Sequence, residues 1–405
     1  MSKSPAEMKL PLDSKQRPWR RRFRRAAIAT LILFIVAAYF VKDPIRTLYS
    51  LRRVPGTNAF VMDYYGDYHL DKIRSRGMDV HNIEDSFIAT LFPDVVVPIA
   101  ARLKRAYVPK AIKVVEERGD HCSTAFLQSK KGDVFFGRNF DYRHDACLIL
   151  RVHDHDGLAS IAVIDLAYLN LNRGDLDQIS LLKRLPLLFA PYYAMDGMNR
   201  HGVAVSDMSV GSAEPPVDPK HPAIILSTLE RIILDYAKDA DEAVELVRAF
   251  NVHFVQEREH LMIADATGRS RIVEFINGEI RVTAADELWQ ICANQVVWQK
   301  TEDERDNTCK RYRVGSEAAQ KLSGVVDYAA ARRVARSMSV DNWTMWTSVY
   351  NLTTREARVI YKSHLGAEYC DAIPLLDGKN KSRTRASDKG TQMESRHRRA
   401  SKARR

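Results

Sequence analysis

Two β-rich runs, Cys122–Ser129 and Asp133–Tyr142, are separated only by Lys130-Lys131-Gly132. So short a connection leaves the strands nowhere to go but against each other. The chain must therefore contain an antiparallel ribbon here, with its turn near Gly132. Counting outward from that turn sets Cys122 opposite a residue near position 141. Arg138 and Asp141, in Gly137-Arg138-Asn139-Phe140-Asp141-Tyr142, are thereby returned to the neighbourhood of Cys122. A thiol, a guanidinium and a carboxylate converge on one ribbon.

The pattern continues through the body of the chain. Cys147–His153 and Ala159–Leu166 flank Asp154-His155-Asp156-Gly157 as a second hairpin. Ile224–Ala237 and Ala240–Phe250 carry apolar residues at helical spacing and predict a helix pair covering a sheet. Strands resume at His260–Ala264, Arg271–Ile276 and Glu279–Val282, followed by a helix over Tyr328–Ser337 and strands at Met345–Asn351 and Ala357–Tyr361. Lys310-Arg311-Tyr312 reads as strand, with Arg313 on the same side as Arg311. Strands, helices and strands again predict a layered α+β body. Residues 42–121 read as mixed aromatic and aliphatic sequence with helix-like runs such as Ile99–Val115.

Net charge is +11, but its distribution removes the obvious reading. Residues 1–25 carry +7 and residues 376–405 carry +8, so the remaining body is close to −4. A mildly acidic body does not track phosphates, and nucleic acid is not an expected partner. Ala26–Val41 holds no charge over 16 residues and follows the cluster RRRFRR. As a helix it rises about 24 Å against a hydrocarbon core of about 30 Å, so it spans with Arg24, Arg25 and Lys42 snorkelling. The alternative is a signal sequence cut before Tyr39, giving a secreted protein. In either case the arginines stay cytoplasmic and everything after residue 42 is extracytoplasmic: periplasmic, lumenal or extracellular. Residues 373–405, rich in Lys, Arg and Ser, read as a disordered basic tail. Five widely spaced cysteines without a CxxC pair exclude a disulfide framework and a zinc knuckle. His153, Asp154, His155 and Asp156 read as a solvated turn, so no metal or cofactor is expected.

The converging residues have complementary chemistry if Cys122 becomes an N-terminus. Its α-amine, with a reference pKa near about 8, takes the thiol proton. Arg138 favours the thiolate. Asp141 accepts a hydrogen bond from the α-amine and holds it in place.

Cys122-Ser123-Thr124-Ala125-Phe126, Lys131-Gly132-Asp133 and Gly137–Tyr142 together resemble the opening of the choloylglycine hydrolase and acid ceramidase group. That group includes penicillin V acylases, N-acylethanolamine amidases and isopenicillin N acyltransferase. Further matches follow in order: Gly197–Ser206, Leu261–Asp265, Cys292-Ala293-Asn294-Gln295, Lys310-Arg311-Tyr312 and Thr344–Tyr350. The resemblance implies an αββα sandwich of the N-terminal-nucleophile type, autoproteolysis between His121 and Cys122, and attack on linear carbon–nitrogen amide bonds. It places Asn294 as an oxyanion-stabilising amide and Arg311 as a second active-site arginine. Ser209 stands where the group often has Asn, as the backbone oxyanion donor. Residues 42–121 become a helical pro-segment, or small subunit, that stays associated after the cut, and residues 122–372 the catalytic domain. The implied substrate is a small-molecule N-acyl amide. An acyltransferase using the same acyl-enzyme, or an inactive membrane-tethered relative, are the alternatives.

Overall fold

The computed structural model describes residues 42–91, 122–153, 157–255, 257–362 and 367–373. Two compact units divide the chain, residues 1–46 and 47–405. Of the first, residues 42–46 are described, and they are helical. The second holds both large sheets.

The first hairpin forms as its sequence requires. Ser123–Gln128 pairs antiparallel with Val134–Asp141, from Ser123 opposite Asn139 to Gln128 opposite Val134. Ser129 N–H donates to the Asp133 carbonyl and Gly132 N–H to the Ser129 carbonyl, each at 2.8 Å. The turn closes through Gly132 at φ +99°, a conformation open to a residue without Cβ. The register places Cys122 one residue short of expectation, across from Phe140.

Among the described residues that ribbon is the heart of a six-stranded sheet. Its order is Trp289–Cys292, Ser123–Gln128, Val134–Asp141, Thr344–Asn351, Glu356–Tyr361 and Ala367–Ala372. A nine-stranded sheet faces it, ordered Arg52–Arg53, Ala59–Tyr64, Cys147–Val152, Ser160–Asp165, Asp196–Asn199, Ala204–Ser209, Glu259–Ala264, Ser270–Ile276 and Glu279–Ala284. Side chains alternate along these strands, and each alternate set fills a different core. Leu148, Leu150, Ala162, Ile164, Leu261 and Ile263 pack with Leu229, Ile232 and Ile233 of the helix Leu226–Tyr236. Ile149, Ile161, Val163 and Met262 turn the other way, to Phe140 and Trp346 of the six-stranded sheet. Both faces are covered, so these strands read as near-continuous apolar runs. The helices Lys310–Gln320 and Tyr328–Met338 cover the six-stranded sheet. Helices lie outside two packed sheets, as the expected sandwich has them. Asp239 and Asp327 start the helices Ala240–Arg248 and Tyr328–Met338 by accepting from backbone N–H groups of the first turn.

Two expectations change. Residues 42–91 are not purely helical: beside the helices Leu70–Arg76 and Ile83–Leu91, Ala59–Tyr64 inserts into the nine-stranded sheet, parallel to Cys147–Val152. Its six residues, AFVMDY, are all buried, which suits an inner strand with a core on each face. Residues 310–320 form a helix, because Tyr312, Gly315, Ser316 and Ala319 recur at helical spacing and are its buried positions. No helix among the described residues is long and apolar enough to cross a membrane, so the expected spanning helix finds no support there. The stretch 26–41 and the run Ile99–Val115 lie outside them.

The sheets are joined by polar contacts as well as apolar ones. Buried Asp196 accepts from Trp346 Nε1 at 2.8 Å and from the Tyr350 hydroxyl. Removing one donor leaves a buried carboxylate under-satisfied, so Tyr350→Phe is expected to cost about 1–3 kcal/mol. Urea unfolding measures it, and an unchanged midpoint at constant slope contradicts this role for Asp196.

Candidate active site

Cys122 sits immediately before the Ser123–Gln128 strand and is 4 % exposed. The neighbouring strand carries Arg138, whose fully buried guanidinium reaches across the sheet interface. Its Nη1 lies 3.3 Å from Cys122 Sγ and donates to the Asn139 carbonyl at 2.7 Å. Its Nη2 donates to both the carbonyl and the Oδ1 of Asp207, at 3.0 and 2.8 Å. Nε stands 3.6 Å from Asp196 Oδ2. The planar fork thus holds one edge on the thiol and another on a carboxylate of the opposite sheet.

Asp141 ends the strand. Its Oδ1 accepts from the Thr344 hydroxyl at 2.5 Å, and its Oδ2 is buried without a hydrogen-bond donor, 3.6 Å from Arg311 Nη1. Arg311 also donates to the Cys122 carbonyl at 3.0 Å. It stands in the first turn of its helix. Arg313, two residues on, is rotated by about 200° and exposed, which removes it from the site.

Asn294 follows the Trp289–Cys292 strand, and its Nδ2 donates to the Ser209 carbonyl at 2.7 Å. One amide hydrogen therefore remains available. Val210 N–H donates to the Arg258 carbonyl at 2.7 Å, so Ser209 and Glu259 are a non-hydrogen-bonded pair. The Ser209 N–H points away from Glu259, to the side on which its carbonyl meets Asn294. The proposed amide and backbone donors therefore stand together. His121 lies outside the described residues. His153 pairs with Asp63, Nε2 to Oδ1 at 3.0 Å, and residues 154–156 lie outside the described residues.

The sequence reading missed Asp207 and Thr344 as site residues. A signal for Asp207 existed: a lone acid inside the strand Ala204–Ser209 must find a partner to be buried. What it could not specify was that the partner would come from the other sheet.

Burial dominates the electrostatics. It pushes the Cys122 thiol up to about 11, against a smaller opposite pull from Arg138. In the uncut chain burial thus outweighs the guanidinium, and Asp207 and Asp141 add to the upward shift; the expected thiolate belongs to a chain in which Cys122 is the N-terminus. Burial likewise raises the Asp141 carboxyl to about 7, while Thr344, Arg311 and Arg138 pull it down. A cavity of about 380 Å³ is lined by Thr344 together with, among others, Tyr142, His144, Trp343 and Met345.

Comparison with known proteins bears on this arrangement. Residues 189–364 match the family model described as acyl-coenzyme A:6-aminopenicillanic acid acyl-transferase. The match covers 176 of the 405 residues and agrees with the resemblance carried by the motifs. The matched span includes Ser209, Asn294 and Arg311; the first hairpin precedes it. Among solved structures, penicillin V acylase from Agrobacterium tumefaciens is 17% identical, covering 62% of this chain and 86% of its own, with a TM-score of 0.45. A mutant of the conjugated bile acid hydrolase from Clostridium perfringens is 13% identical, covering 64% and 94%, with a TM-score of 0.46. The N-acylethanolamine-hydrolyzing acid amidase ortholog of Caenorhabditis elegans is 13% identical, covering 62% and 100%, with a TM-score of 0.40. A sequence search of curated proteins found no match.

The raised Asp141 carboxyl has a consequence for pH. Protonated Asp141 is favoured by the fold, so its contribution is complete below the unfolded value near 3.8 and is lost as pH rises through about 7. In an uncut Cys122→Ala background, Asp141→Asn is expected to remove that part of the stability loss between pH 4 and 7. Urea midpoints across this range test it, and parallel curves for the two proteins contradict it.

Proposed function

We propose that this chain is an autoproteolytically activated cysteine amidase that cleaves a linear carbon–nitrogen amide through a thioester. The observation carrying this reading is the pairing of Arg138 Nη1 with Cys122 Sγ beside a buried Asp141 oxygen that lacks a donor. An α-ammonium released at residue 122 is the donor such an oxygen accepts.

In the first step Sγ attacks the carbonyl of residue 121. The peptide C–N bond breaks as a thioester forms, and the former amide nitrogen leaves as the Cys122 α-amine. Water then cleaves the thioester, leaving a carboxylate on residue 121 and a free thiol. In turnover the α-amine takes the thiol proton and the thiolate attacks the substrate carbonyl. The oxyanion is held by the Asn294 amide and the Ser209 N–H. The α-ammonium gives its proton to the departing amine, and water resolves the thioester by the same base.

Transfer of the acyl group to a second amine is the other reading, favoured by the acyl-transferase family matched over residues 189–364. Both share every step up to the thioester. They differ in whether water or an amine reaches it. An inactive, membrane-tethered relative would leave the chain uncut.

After the cut the N-terminal fragment would stay in place. Ala59–Tyr64 is hydrogen-bonded inside the sheet, Arg151 Nε holds Asp63 at 2.7 Å, and the Tyr68 hydroxyl holds Asp235 at 2.5 Å. The apolar stretch 26–41 would anchor the protein and place the site outside the cytoplasm beside a bilayer, where an N-acyl lipid is a fitting substrate.

Intact-mass analysis of purified full-length protein tests the first step. Two co-purifying fragments with the break before Cys122 are expected, and one uncut chain for Cys122→Ala. A single wild-type chain whose amide turnover survives Cys122→Ala overturns the reading.

A further inference from the structure

His260 and Glu274 stand across from each other on the strands Glu259–Ala264 and Ser270–Ile276, where Leu261 faces Val273. They are 1 % and 2 % exposed. With Cys292, whose Sγ lies 3.5 Å from His260 Nε2, they form a Cys–His–Glu row resembling a second nucleophile with its base. The geometry excludes that use. His260 Nε2 stands 2.7 Å from the Ala293 carbonyl, which can only accept, so Nε2 carries a hydrogen and has no lone pair for a thiol proton.

What the pair does hold is the segment carrying Asn294. His260 fixes Ala293, the residue before Asn294. Glu274 fixes the residues after it: Oε1 accepts from Val297 N–H and Oε2 from Trp298 N–H, each at 2.8 Å. Nδ1 of His260 lies 3.4 Å from Glu274 Oε1, tying the two anchors together. Gln295 N–H closes the turn onto the Ala293 carbonyl at 2.9 Å. Asn294 is thus held on both sides by one buried pair belonging to the opposite sheet, while its own Nδ2 rests on Ser209.

We propose that His260 and Glu274 are positioning residues for Asn294, clamping the 293–298 segment so that its side-chain amide stays where the oxyanion develops. This rests on the acyl chemistry proposed above. Oxyanion stabilisation depends on donors fixed before the reaction, so loosening a donor by a fraction of an ångström costs rate without changing what binds.

Glu274→Gln in the full-length chain tests it, because the glutamine amide keeps the size but can accept from only one of the two N–H groups. Hydrogen–deuterium exchange is read first. Val297 and Trp298 amides are expected to exchange at least about tenfold faster, with the Ser123–Gln128 strand unchanged. The burst of nitrophenolate from p-nitrophenyl octanoate, reporting acylation of Cys122, is read second. Asn294→Ala is expected to slow it by about 10²–10³-fold, as for loss of one oxyanion donor. Glu274→Gln should slow it by about tenfold or more at unchanged half-saturation. The double variant should be no slower than Asn294→Ala alone. If Glu274→Gln does not fold, His260→Gln, which can still donate to Ala293, should retain the burst and His260→Leu lose it. Wild-type exchange in Glu274→Gln, or losses that multiply in the double variant, overturn the inference. Absence of any wild-type acylation at Cys122 removes the proposed function instead, and the exchange result alone then decides the clamp.

Discussion

A guanidinium with no exposed surface is costly to bury without partners, and Arg138 finds them on both sheets. Its fork meets the Cys122 thiol on its own sheet and Asp207 on the other, with Asp196 close to Nε. Asp196 in turn takes Trp346 and Tyr350 back to the first sheet. The packing of the two sheets and the placing of the thiol are consequently one problem. Any shift of one sheet against the other would strand a buried charge, which makes the position of Cys122 as firm as the fold.

The same burial sets the uncut chain apart from the enzyme that the proposed cut would make. Within the uncut chain burial raises both the Cys122 thiol and the Asp141 carboxyl above their ordinary values. A new α-ammonium beside the open Asp141 oxygen would stabilise the carboxylate and add positive charge near the sulfur. In the proposed scheme the cut therefore does more than expose a base: it supplies the charge that the site is built to receive. Asn294, held from the opposite sheet, then faces chemistry that begins on the first hairpin.

Much of this was legible in the residues. The hairpin followed from a three-residue connection with glycine at its turn, and that alone brought Arg138 and Asp141 to Cys122. Register was one residue out, because the Ser129–Asp133 pairing that sets it is a matter of turn geometry. The helix under Arg311 was hidden by Gly315, a poor helix former that here makes room for Met338. Insertion of Ala59–Tyr64 was invisible because its parallel partner, Cys147–Val152, is distant in sequence, and local patterning does not name a strand's neighbour. Asp207 and the His260–Glu274 pair are buried polar groups whose partners lie on other elements, and local patterning carries no information about such choices.

Mass analysis of the acyl-enzyme puts the most direct question. Wild-type protein incubated with an N-acyl p-nitroanilide and quenched in acid should carry the acyl mass on the peptide beginning with Cys122, and the adduct should disappear on treatment with hydroxylamine. An acyl group found on any other residue, or amide turnover with no adduct at Cys122 on any quench time, would contradict the account.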